Sequence, residues 1–255
     1  MIDGFFAEMS NQMWLVGAAF LRLGPAIYLA PGYGERYVSM RVRLSVAGVF
    51  AVAIAPVIAP HLPATAPEGA ELFRFALFET TIGIFIGLMA RGMIYLLEKA
   101  GTIISQSISL AQMLGNATEP MPVISHLLTT AGIAILFSTS LADQMLYSFV
   151  ASYSLDMPSI AEIAGYFASK TTQMLNFVFN HAVVLSAAFL SLLFVYYLCI
   201  GFINKAMPQF MVSFIGIPFV ALFSIFFLYQ HHELLLEVWQ KKAGTVLRMP
   251  YEALP

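Results

Sequence analysis

Charge is scarce in this chain. Only 10% of its 255 residues are Asp, Glu, Lys or Arg, where soluble domains carry about a quarter. Net charge is −2 with no basic or acidic tail, which removes the electrostatic footprint of a nucleic-acid binder. There is one cysteine, Cys199, so an internal disulfide and a cysteine metal cluster are excluded. In its apolar run that thiol is expected to act as a small hydrophobe. No G-x-x-x-x-G-K-[ST], H-E-x-x-H or G-x-S-x-G occurs, so the P-loop, zinc-protease and nucleophile-elbow chemistries have no carrier. His231, His232 and Glu233 are neighbours on different helix faces, unlike a metal pair spaced i, i+4. Neither an enzyme nor a cofactor is expected. No Lys or Arg precedes Arg22. The basic region of a cleaved signal peptide is therefore missing, and the first apolar segment is expected to stay.

What the chain has is apolar surface: 60% hydrophobic residues and a mean hydropathy of +0.82. A soluble fold of this size could not bury so much, so the class is an all-α integral membrane protein. Six apolar segments are long enough to cross a bilayer, or nearly so, near 11–30, 44–60, 72–97, 127–150, 172–203 and 207–230. Between them lie a basic turn-rich loop at 31–43, a Pro-rich loop at 61–71, and a mixed stretch at 98–126. A Pro-containing turn and a short helix bearing Glu162 are expected within 151–171, and an amphipathic helix over 231–255. Without a fixed-period repeat, residues 1–255 read as one membrane domain.

Topology by charge conflicts with itself. Arg36, Arg41 and Arg43 mark the first loop as cytoplasmic, and Lys241, Lys242 and Arg248 mark the tail likewise. Five apolar segments separate the two, an odd number. Either one basic cluster misleads or one segment does not span. Segment 72–97, with Glu79 and Arg91 inside it, and the overlong 172–203 are the candidates, and hairpins buried in an assembly would also escape the rule.

Arg22, Glu79, Arg91 and Asp143 interrupt apolar runs, and each would cost about 2.5–3.5 kcal/mol facing lipid at mid-span. They are expected to face protein, water or each other. Glue between subunits is favoured over an ion or proton path, because no dense Asp/Glu/His relay accompanies them. The stretch AGTIISQSISLAQMLGNATEPMP, 100–122, is too polar for lipid and too apolar for a solvent loop. It reads either as a re-entrant segment or pore plug, or as a surface amphipathic helix. In INKAMPQFMVSFIGIP, 203–218, Pro208 removes a backbone donor and biases the preceding residue away from helix. NKAMPQ thus reads as a tight turn between two apolar helices, with Gly216 and Pro218 loosening the second.

Three blocks together resemble the FliR family, the export-gate membrane protein of flagellar type III secretion, across nearly the whole chain. The first is FLRLGPAIYLAPGYGERYVSMRVRLSVAGVFAVAIAP, 20–56, carrying Arg22, Pro31, Glu35, Arg36, Arg41 and Arg43. The second is IGIFIGLMARGMIYLLEKAGTIISQSISLAQMLGNATEP, 82–120. The third is the 203–218 stretch with Asn204, Lys205, Pro208, Gln209, Gly216 and Pro218. Lys205 stands where the family pattern has Arg, keeping the charge without the planar fork. The resemblance implies a single-copy subunit whose helical hairpins stack into a conical export gate. It implies small membrane partners of P and Q type, a docking B-type component, membrane lipid around it, and unfolded flagellar subunits passing through. The place it implies is the bacterial inner membrane, at the flagellar basal body. It also implies a gate loop, here Gln106 to Pro122, with Met113 and Leu114 as seals, Gly115 and Asn116 as a bend, and Gln112 and Pro120 within it. Two rivals stand beside this reading. One is an injectisome gate for virulence effectors. The other is a small-solute transporter using Glu79, Arg91 and Asp143, which inverted-repeat symmetry would support and which finds none.

Overall fold

A computed structural model describes residues 2–63, 65–108, 123–154, 160–207 and 212–251, and their side chains except at 2–7, 108, 160–162, 204 and 212–220. The described residues form helices. In chain order these are α1 (Ile2–Leu29), α2 (Met40–Ile58) with a 3-10 turn at Ala59–His61, and α3 (Gly69–Ile108). Then come α4 (Val123–Ser138), α5 (Leu141–Ala151) with a 3-10 turn at Ser152–Ser154, α6 (Ile160–Ala206) and α7 (Val212–Arg248).

Local chemistry sets several of these limits. α1 ends two residues before Pro31, and Gly32 takes a positive φ of 82° in the turn that follows, a conformation glycine adopts without strain. Ser39 caps α2: its backbone is extended and its hydroxyl accepts from the Val42 N–H. On α2 the buried residues Ala47, Ala51, Ala55 and Ile58 recur at helical spacing, and α2 packs against α1. Small residues on such a stripe let two backbones approach closely.

The chain divides into two compact units. One comprises 1–92, 140–174 and 244–255; the other comprises 93–139 and 175–243. In the first, α1 lies against α3 through Gly83 and Gly87. A Cβ on Gly83 would fall 2.1 Å from the Arg22 carbonyl oxygen, and one on Gly87 2.7 Å from that of Ala26. Phe85 stacks on Phe167 at 3.9 Å between ring centroids, and Tyr166 donates to the Pro250 carbonyl. In the second unit, Gly101 admits α4, since a Cβ there would meet Ser125 Cα at 2.4 Å. Trp239, fully buried, donates its indole N–H to the Met93 carbonyl at 2.7 Å. Phe189 of α6 meets Phe227 of α7 edge-on at 5.0 Å.

Each of the six expected segments falls on helix among the described residues, the fourth divided between α4 and α5. Three helices among the described residues are long and apolar enough to cross a membrane, and four if α4 and α5, broken at Thr139 and Ser140, form one span. Segment 72–97 passes this test despite its charges. Counted as four, the spans among the described residues between the basic loop and the basic tail are even in number, while residues 208–211 of the last expected segment, 207–230, lie outside the described residues. The helix expected around Glu162 and over the tail is found in both places, but as continuations of longer helices rather than as separate elements. The start of the 98–126 stretch continues α3 as far as Ile108, the region of Glu162 belongs to the long α6, and residues 231–248 continue α7. Backbone hydrogen bonding and good helix formers carry each helix past the end of its apolar run. For the same reason Asn204 and Lys205 close the last turn of α6 rather than the turn itself, and α7 runs through Gly216 and Pro218. Pro208 and Gln209 lie outside the described residues.

Candidate functional site

Arg22 anchors the most elaborate polar site in the first unit. Its guanidinium grips the Glu79 carboxylate with two bonds, Nε to Oε2 at 2.6 Å and Nη2 to Oε1 at 2.9 Å. Nη1 donates to the Ser152 carbonyl at 2.7 Å and to Ser152 Oγ at 3.2 Å. The plane lies 3.8 Å from the Tyr153 ring centroid. Arg22 and Glu79 are 6% and 3% exposed. Two charges this deep are tolerated because nearly every donor is answered. The expectation that the charges face each other holds for this pair, though the glue joins elements of one chain. Ser152 and Tyr153 were not legible as its partners: they lie 130 or more residues away, and neither polar type nor spacing marks them.

A second cluster fixes the basic loop. Arg43 donates from Nε to the Val38 carbonyl at 3.1 Å and from Nη2 to that of Glu35 at 2.6 Å, and it lies over the Tyr28 ring. Arg91 donates to the Leu29 carbonyl at 3.2 Å and stands 3.7 Å from the Glu35 carboxylate. Pro31 is buried, whereas Arg36 and Arg41 are exposed. Burial raises the Tyr33 phenol above its ordinary pKa. Glu79, Arg91 and Asp143 thus have separate surroundings: an arginine, a loop, and the exposed surface of α5. They do not form the convergent set a transporter would need.

Of the expected gate loop, Gln106 is exposed on the last turns of α3. Residues 109–122, with Gln112, Met113, Leu114, Gly115, Asn116, Pro120 and Pro122, lie outside the described residues. The approach to the loop is anchored: Tyr197 of α6 donates to the Ser107 carbonyl at 3.3 Å. On α4, Ser125 Oγ donates to the Glu98 carbonyl at 2.9 Å. Ser105 Oγ is buried without a partner among the described residues. Neither Tyr197 nor Ser125 stood out in sequence, because a hydroxyl in an apolar helix looks alike whether it binds or not.

The exposed surface is itself unusual. Phe179, Val184, Phe194 and Phe202 on α6, and Leu222, Phe226 and Tyr229 on α7, are all exposed. Cys199 is exposed in the same region. Among the described residues no three His, Cys, Asp or Glu side chains gather to hold a metal ion. His231 and His232 instead approach carbonyls of their own helix, at 3.0 Å and 2.7 Å.

Long apolar helices and broad uncovered hydrophobic faces define a helical membrane protein among the described residues. The chain belongs to the bacterial export proteins, family 1, whose sequence profile matches residues 13–246. It is similar to the flagellar biosynthetic protein FliR of Caulobacter vibrioides, at 26% identity over 210 residues, covering 81% of this chain and 84% of that protein.

Proposed function

We propose that the chain is a subunit of the flagellar type III protein export gate. It forms part of the channel for unfolded flagellar subunits and is required for flagellum assembly. The observation that carries this is the family match over residues 13–246, in company with a flagellar relative aligned over 81% of the chain. No step of the proposed role needs catalysis, and the chain acts as a structural conduit.

Helix length supports an assembly. α6 has 47 residues, enough for about 70 Å of helix at 1.5 Å per residue, against about 30 Å of hydrocarbon. Exposed apolar side chains run along it from Leu175 to Ile203, about 42 Å on the same rise. A bilayer crossed upright cannot cover that whole length. Partner helices would cover the remainder, which fits small membrane components of P and Q type and a B-type component beside them. The place this implies is the inner membrane at the basal body.

The gate in this reading is 106–122. An apolar and amide-rich segment can close a pore by excluding water, and the methionine side chain of Met113 suits a gasket that adapts to its neighbours. The test is genetic and biochemical. A strain lacking the chain should build no flagella, and the tagged chain should co-purify in mild detergent with small membrane proteins. A motile null strain, or a lone monomer at native expression, would overturn the reading.

A further inference from the structure

We propose that the first unit carries a binding site for an anionic phospholipid, in the groove between α1, α2 and α3. The groove is open, has a volume of about 570 Å³, and is lined by Phe20, Gly24, Tyr28, Leu44, Ala47 and Ile84 together with Arg43. Apart from that arginine and the Tyr28 hydroxyl, its side chains are hydrocarbon or thioether. Gly24 and Ala47 are small and leave the space open, while Tyr28, Met40, Leu44 and Ile84 are partly uncovered around it.

The charge at the groove selects the occupant. Arg43 is held in place by the Val38 and Glu35 carbonyls, and Arg41 on the same turn of α2 and Arg36 in the preceding loop are exposed. The acid of this loop, Glu35, faces Arg91. α2 begins a candidate span at Met40, so the arginines stand where a span meets headgroups and the groove runs from there along its first two turns. An acyl chain in the groove places its phosphate beside Arg43, with the exposed Arg41 two positions before it on α2 adding to the local positive charge, and basic pockets between membrane helices take anionic lipids in this way. A partner's apolar helix would fill the groove without needing those cations. The site depends on one unit alone, so it can fail while the export-gate reading stands, and the reverse.

The experiment is native mass spectrometry of the full chain in detergent, after exposure to vesicles of dioleoyl phosphatidylglycerol or of dioleoyl phosphatidylcholine. One phosphatidylglycerol per chain should be retained, in at least about fivefold preference over phosphatidylcholine, the factor expected for each basic residue engaged. Arg41→Gln should lower retention by about fivefold. Gly24→Leu should abolish it by filling the groove. A Cβ at Gly24 meets only the Phe20 ring, at 3.7 Å, and leucine is the better helix former, so helix content is expected to be kept, which circular dichroism checks. Equal retention of both lipids, or native retention by Gly24→Leu, overturns the proposal. So does loss of a co-purifying membrane protein in Gly24→Leu with lipid retention unchanged, which would make the groove a seat for a helix.

Discussion

Arg22 shows how one residue decides a region. With Glu79 across from it, Ser152 below and Tyr153 on its face, it ties α1 to α3 and to the end of α5. Removing one partner strands the other charge in an apolar interior. Arg22→Met is therefore expected to lower stability by about 3–5 kcal/mol, read as a shift in denaturant midpoint in detergent. The double change with Glu79→Leu should recover most of that loss, because two packed apolar side chains need no partner. A double variant as unstable as the single one would show that the pair does more than satisfy itself. Tyr251 offers a pH test. Its phenol donates to the Ser148 carbonyl, and burial pushes its pKa well above the ordinary 10.0. With the folded value raised above the unfolded one, its contribution is complete below about pH 10 and is lost as pH climbs beyond. Tyr251→Phe should remove about 1 kcal/mol at neutral pH and flatten the alkaline arm of the stability profile.

At the scale of elements, helix contacts depend on glycines at two close approaches. Gly83→Ala drives a methyl into the Arg22 carbonyl, and Gly101→Ala drives one into the Ser125 backbone. Each should lower stability by about 1–3 kcal/mol through overpacking. Gly48 lies in the middle of α2, and a methyl there would have nothing within 4 Å of it, which makes it the matched control. There alanine should be neutral or stabilising by up to about 1 kcal/mol, since helix propensity alone changes. Thermal melts of the three variants side by side would separate contact from propensity. The Gly-x-x-x-Gly spacing of Gly83 and Gly87 is legible in sequence as a close-packing signal. Which helix it meets is not, because the partner positions, Arg22 and Ala26, lie far back in the chain.

At the scale of the molecule, the predictions concern the gate and its assembly. Deleting 106–116 should raise ion leak through the assembled gate in vesicles; unchanged leak would remove this segment from the closure. Pro208→Ala should weaken co-purification with membrane partners, because alanine no longer bars helix at that position, and intact assembly would return Pro208 to the role of a plain connector. Both experiments need the complex, since the uncovered faces of α6 and α7 are expected to pack only there.

The sequence by itself determined the class. Scarce charge and long apolar runs leave no soluble alternative, and three blocks in order and spacing pointed to the family, because composition and short motifs are local properties. It also placed the polar interruptions at Arg22 and Glu79. Only the tertiary structure decided what they do. A charge in an apolar helix reads the same whether it conducts, glues or pairs, and the answer depends on which residue, 57 positions away, turns to meet it. Helix ends went the same way. Polarity marked boundaries near 98, 171 and 231, yet backbone hydrogen bonding continues through all three, because a helix ends where its backbone loses partners rather than where its side chains cease to be apolar.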